Sequence, residues 1–146
     1  MPKQIISDAC IDAFLDVVPD LMHIIRIEMR AHRAKGLSVP QFRAMVLLSK
    51  NEGVSLSDVA DYLGQSAGGT SSVIDGLIDR GFVSRKEVES DRRKIALTLT
   101  ATGNKNLDYT KQETHRNLAS TFEKLSPAQC KCIIDALTSL RDLFDL

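Results

Sequence analysis

From about Ser7 to Ala34 the apolar residues Ile11, Phe14, Leu15, Val18, Leu21, Met22 and Ile25 recur at threes and fours. That period marks one face of a long amphipathic helix. Pro19 falls inside it and should kink or divide the helix, because proline lacks the amide hydrogen and crowds the preceding turn. Lys35-Gly36 should end it. Ser38-Val-Pro-Gln41 then places Ser and Gln three apart with a proline in the first turn, a helix-start signature. The second helix carries Phe42, Met45, Val46 and Leu48 and should stop near Asn51-Glu-Gly53. Ser55-Leu-Ser-Asp58 opens a short third helix with Leu56, Val59, Ala60 and Leu63, closed by Gly64. Ser66 caps a fourth that runs to about Arg80 and closes at Gly81. Two short helices joined across Gly64-Gln65 form a helix–turn–helix.

Beyond Gly81 the period changes to two. Phe82–Val88 and Lys94–Leu99 are strand-like, and Ile95, Leu97 and Leu99 alternate with Lys94, Ala96 and Thr98. The five-residue link Glu89-Ser-Asp-Arg-Arg93 is polar, so the pair predicts a hairpin with a basic tip. Thr100 should cap a fifth helix over about Ala101–Lys124, polar and wet between Leu107 and Leu118. Leu125-Ser-Pro-Ala-Gln129 repeats the start signature, and Cys130, Ile133, Leu137, Leu140 and Phe144 form one stripe on the last helix. The predicted fold is mainly α: a winged helix-turn-helix with a two-stranded β wing and long N- and C-terminal dimerisation helices. Residues 37–100 form the winged unit, and residues 1–36 and 101–146 the helical dimerisation region. Two apolar end stripes would be covered by a second copy, and twofold pairing is the commonest solution.

The 146 residues are an ordinary globular composition, 43% hydrophobic and 26% charged, which excludes collagen, disulfide-scaffold and long disordered chains. No apolar run approaches the roughly 18 residues of a membrane span, and no secretory leader is expected, so no membrane partner is predicted. Three cysteines suit a reducing, cytoplasmic compartment. The net charge is zero, which argues against a nucleic-acid partner only if the chain is uniform. It is not uniform. Residues 80–94 hold six basic side chains against three acidic, a net +3, while residues 1–25 hold one against four, a net −3.

In a helix–turn–helix the second helix enters the major groove with its N-terminal half toward the bases. On that helix Thr70, Val73, Ile74 and Leu77 should face inward, and Gly68, Ser71, Ser72 and Asp75 outward. The segment Ser66, Ala67, Gly68, Gly69, Ser71 and Ser72 is the candidate reading surface. Glycines at 68 and 69 cost helix stability, about 1 kcal/mol each, and a close approach of backbone to DNA would explain them. The helix has no Arg or Lys before Arg80, so a bidentate arginine–guanine contact cannot come from it. Arg92, Arg93 and Lys94 at the wing tip are candidates for a narrow minor groove, with Asp91 pairing with a neighbouring arginine to support the tip. Gln41, Arg43, Arg85 and Lys86 are candidate phosphate contacts, and an ordinary solvated surface fits each of them as well.

Leu37-Ser-Val-Pro-Gln-Phe42, Ser55-Leu-Ser-Asp-Val-Ala60, Ser66-Ala-Gly-Gly-Thr70 and Leu77-Ile-Asp-Arg-Gly-Phe-Val-Ser-Arg85 follow one another as in MarR-type regulators. Asp91-Arg-Arg93 and Leu99-Thr-Ala-Thr-Gly103 complete the resemblance, which is strong over about 37–103. It implies a homodimer with interleaved terminal helices on a pseudo-palindromic operator in double-stranded DNA. It further implies a repressor released by a small, often aromatic or phenolic, effector bound between the dimer helices and the DNA-binding part. By position, Ser66–Ser72 would read the groove and Arg92 or Arg93 the minor groove. Ser72 and Gly76 lack the basic side chains that many members place there.

A second reading stays open: a winged-helix protein-interaction module with weak or no operator binding, suggested by the base-poor recognition helix. Cys10 reads as a buried structural cysteine, with a redox-sensing thiol as the alternative. Cys130-Lys-Cys132 on a helix cannot chelate one ion, and His23, His32 and His115 have no metal-ligand spacing. No nucleophile elbow, phosphate loop or HExxH pattern is present, so neither a cofactor nor catalysis is predicted.

Overall fold

The computed structural model describes residues 2–146, with the side chains of residues 92–94 outside the described set. The element order is α1 (Lys3–His32), α2 (Val39–Lys50), α3 (Leu56–Leu63), α4 (Ala67–Asp79), β1 (Val83–Val88), β2 (Asp91–Leu99), α5 (Ala101–Phe122) and α6 (Pro127–Leu143). Local chemistry sets most of these boundaries. The Ser38 hydroxyl accepts from the Gln41 amide (3.2 Å) while the Gln41 carboxamide accepts from the Ser38 amide (3.0 Å). Ser55 with Asp58, and Ser126 with Gln129, repeat this reciprocal pattern. Gly64 ends α3 at φ 65°, a left-handed conformation that a side chain resists, and so sharpens the turn into α4.

β1 and β2 pair antiparallel from Val83 opposite Leu99 to Glu87 opposite Ile95, with a register shift between Glu87 and Val88. Ser84 and Thr98 share a hydroxyl hydrogen bond of 3.0 Å across that ladder. A bridge from Val54 to Leu97 ties the loop before α3 to β2. The core lies among α2, α3, α4 and the hairpin: Met45, Val59, Ile74, Leu77, Val83 and Leu97 are buried there. Leu107 of α5 joins it.

Several expectations change. Pro19 does not divide α1, which runs unbroken through it with the apolar stripe in phase on both sides. A proline removes one amide donor and crowds the preceding turn, and here the helix continues on both sides of that loss. α1 begins at Lys3 and ends at His32, short of Lys35-Gly36. Cys10 is exposed in the chain rather than buried, because the cover that the chain gives the N-terminal half of α1, with Phe144 stacked on Phe14 at 6.0 Å, does not extend to it. β2 begins at Asp91, so the hairpin turn is Glu89-Ser90 and not the five-residue link. Ile95 is 48% exposed, lying toward the wing tip beyond the reach of the core. α5 is less wet than its polarity suggests. Thr110 and Thr114 are buried, and Thr110 donates to the carbonyls of Asn106 (3.0 Å) and His32 (3.3 Å), which seats α5 against the end of α1. Asn117 adds bonds to Glu28 (3.1 Å) and His32 (2.8 Å).

α1 and α6 contain no buried residue. Ile11, Leu15, Leu21 and Ile27 on α1, Leu137 on α6 and Phe144 just past its end are each about half exposed or more, from 49% to 62%. Among the described residues no helix is long and apolar enough to cross a membrane.

Candidate nucleic-acid interface

α4 is anchored by Thr70, Ile74 and Leu77, all fully buried, which fixes its opposite face toward solvent. The Ser66 hydroxyl caps it by accepting from the Gly69 amide at 3.2 Å. Ser66, Ala67, Gly68, Gly69 and Ser72 are exposed and Ser71 is half-buried, so the candidate reading segment forms one surface. A Cβ added at Gly68 would meet nothing within 4 Å. No contact within the chain therefore requires glycine there. A Cβ at Gly69 would lie 3.3 Å from the capping hydroxyl of Ser66.

The outward ridge is flanked on both sides by side chains from other elements, which the sequence pattern did not reveal. On one flank, Arg85 of β1 reaches Asp75 of α4, Nη2 to Oδ1, at 2.6 Å. Their side chains are 46% and 54% exposed, so water screens the pair and its contribution to stability is about 0–1 kcal/mol. Its larger effect is on charge: the only acidic group on the middle of the reading face is offset by a cation from the wing strand. On the other flank lies Gln41 of α2. Its Oε1 holds the Ser38 amide, and its Nε2 lies 2.6 Å from where a Cβ at Gly76 would be.

The remaining candidates are placed apart. Lys86 is exposed on β1. Arg43 donates to the Tyr62 carbonyl at 3.2 Å, and its guanidinium sits 5.1 Å from the centre of the Tyr62 ring. It lines a cavity of about 390 Å³ between α1 and the α2–α3 pair, away from the ridge of α4. Phe42 and Val46 line the apolar part of that cavity, and Arg26, Arg30 and Arg33 border it. Asp91 begins β2 opposite Val88. The roles expected of Arg92, Arg93 and Lys94 rest on side chains outside the described residues.

Behind the reading helix, α3 is held by a charged cap. The Ser55 amide donates to Asp58 Oδ2 at 2.8 Å. This bond, helped by the Ser55 hydroxyl, keeps the Asp58 carboxyl below its ordinary value. Among the described residues no group of three or more His, Cys, Asp or Glu side chains could hold a metal ion.

Residues 35–94, the span that carries this surface, match the model of the MarR family. An uncharacterized HTH-type transcriptional regulator of Bacillus subtilis, YfiV, is 31% identical over 104 residues, 71% of this chain and 65% of its own length. The chain thus spans just under two thirds of that relative. Among solved structures, RV1404 from Mycobacterium tuberculosis superposes with a TM-score of 0.79 at 24% identity, covering 95% of this chain and 94% of its own. Streptococcus pneumoniae FabT, in complex with DNA, gives 0.68 at 19% identity over 95% and 97% of the two chains. These structural likenesses carry the fold. The sequence match, centred on the helix–turn–helix and the wing, makes residues 35–94 similar to the MarR family.

Proposed function

We propose that the chain is a sequence-specific DNA-binding transcriptional regulator, acting in the cytoplasm as a homodimeric repressor on a pseudo-palindromic operator. One observation carries this reading: a helix buried on one face presents an opposite face of small residues, with Gly68 free of any neighbour that would demand glycine. A second helix of a helix–turn–helix with that profile can lie close to base edges in the major groove. FabT, solved with DNA, shares this architecture. The basic wing residues Arg92, Arg93 and Lys94 would supply phosphate or minor-groove contacts, with Asp91 supporting the tip. Lys86 and Arg85 would lie along the same side.

The homodimer is supported by α1 and α6, which bury no residue within the chain and leave most of their large apolar side chains exposed. Pairing them would hold two copies of α4 about one helical turn of DNA apart. Release by a small effector is supported by the 390 Å³ cavity between α1 and α2–α3, a size typical of small-molecule sites. Its apolar lining and arginine border suit an acidic molecule with an aromatic body.

Gel-shift titration on the DNA upstream of its own gene tests the proposal. Retarded complexes that survive excess unrelated DNA are expected, and binding no tighter than to bulk DNA at low salt would refute it. Sedimentation should give twice the 16.1 kDa chain mass, and a monomer at micromolar concentration would refute the pairing. The alternative, a protein-interaction module, is favoured by the absence of Lys or Arg on α4. Salt-insensitive behaviour toward DNA would decide for it.

A further inference from the structure

We infer that Gly76 is a positioning residue for recognition, leaving the slot through which Gln41 presents its amide donors beside the reading face. This rests on the DNA-binding reading above. α4 carries no cation, so the polar groups flanking its ridge come from neighbouring elements. Gln41 is the one contributed by α2. Its orientation is fixed by the cap: Oε1 accepts from the Ser38 amide at 3.0 Å, which turns Nε2 toward Gly76. The room exists only because residue 76 has no side chain, since a Cβ there would sit 2.6 Å from Nε2. Among the described residues Nε2 has no hydrogen-bond acceptor, so both of its N–H groups are uncommitted.

This geometry restricts what Gln41 can recognise. A free glutamine pairs with adenine through one donor and one acceptor together. Here the acceptor is already used within the chain, so only donation remains. The targets are therefore acceptors: a phosphate oxygen, or a base acceptor such as guanine N7 or O6. The position of Gly76 on the flank of the ridge, one turn along from Ser72, places those donors at the edge of the groove-facing surface.

The test uses operator duplexes selected from a random pool by the full-length wild-type protein, with affinity read by fluorescence anisotropy. Gly76→Ala should displace the carboxamide and weaken binding about tenfold. Gln41→Glu keeps the reciprocal cap, since glutamate serves equally at that position, but replaces the donors with a carboxylate. It too should weaken binding about tenfold or more, with an unchanged melting temperature. The double variant should be no weaker than the poorer single one, because both act through one group. Loss confined to particular operator positions identifies a base acceptor, and loss uniform across sequences a phosphate. A purely capping role for Gln41 leaves Gln41→Glu within about twofold of wild type, and that result overturns the inference. If Gly76→Ala does not fold, Gln41→Glu alone decides. If the wild type selects no sequence at all, the DNA-binding reading fails and this inference with it, an outcome distinct from wild-type binding matched by the variants.

Discussion

Replacing Gly103 with alanine tests how α5 is fastened to the rest of the fold. A Cβ at that position would fall 2.2 Å from the Phe82 carbonyl oxygen, 3.1 Å from its carbon and 3.2 Å from Leu99 Cδ2. Carbon–oxygen contacts settle at about 3.3 Å, so the first turn of α5 would have to retreat by about 1 Å. The obstacle is backbone, so no rotamer change relieves it. The same carbonyl accepts from the Thr100 amide at 3.0 Å, and the Thr100 hydroxyl caps the Gly103 amide at 3.0 Å. Overpacking of this kind costs about 1–3 kcal/mol and a disturbed cap about 1 kcal/mol. The better helix propensity of alanine returns up to about 1 kcal/mol. The net loss is about 2 kcal/mol, or a melting temperature lower by roughly 4–8 °C for a chain of this size. Thermal melts followed by far-ultraviolet circular dichroism would measure it. A melting temperature equal to wild type or higher would refute the reasoning.

Gly68→Ala should do the opposite: with nothing within 4 Å of the new methyl, stability rises by up to about 1 kcal/mol while operator affinity falls. Paired melts and anisotropy check it, and unchanged affinity would remove the glycine from the interface. Asp75→Asn releases Arg85 from its 2.6 Å partner, so binding to bulk DNA should strengthen and the log–log salt slope steepen by about 0.9. A slope unchanged from wild type would show that Arg85 stays away from phosphate. Asp58 has its carboxyl held below the usual range, so its contribution to stability is present above the unfolded-state value and is lost as pH falls through the lower, folded one. Asp58→Ala should therefore be less stable than wild type at pH 7, with the gap closing below about pH 4 in acid melts; a gap that persists there would refute the assignment.

What was legible in the sequence was local. Ser38 with Gln41, Ser55 with Asp58 and Ser126 with Gln129 lie three residues apart, so their caps follow from spacing alone. The inward positions of α4 followed from its period, because a helix of 13 residues with one buried face leaves little choice. The flanking contacts of the reading surface were not legible. Asp75 with Arg85 and Gly76 with Gln41 join residues that only the packing of separate elements brings together. Gln41 was singled out for phosphate and its cap followed from spacing, but its slot beside Gly76 depends on α2 packing against α4. Thr110 and Thr114 read as wet because their hydroxyls are polar, and they are buried because those hydroxyls bond back to helix carbonyls. Cys10 was misjudged because its stretch of α1 meets little of its own chain, while Pro19 leaves α1 undivided.

Hydroxyl-radical footprinting of the full-length protein on its selected operator tests the central claim most directly. Two copies presenting α4 through their outward faces should protect two patches about 10 base pairs apart on one side of the duplex. Protection should fade with added salt and be lost first in Gly68→Ala. A single patch, or uniform protection without regard to sequence, would contradict the account.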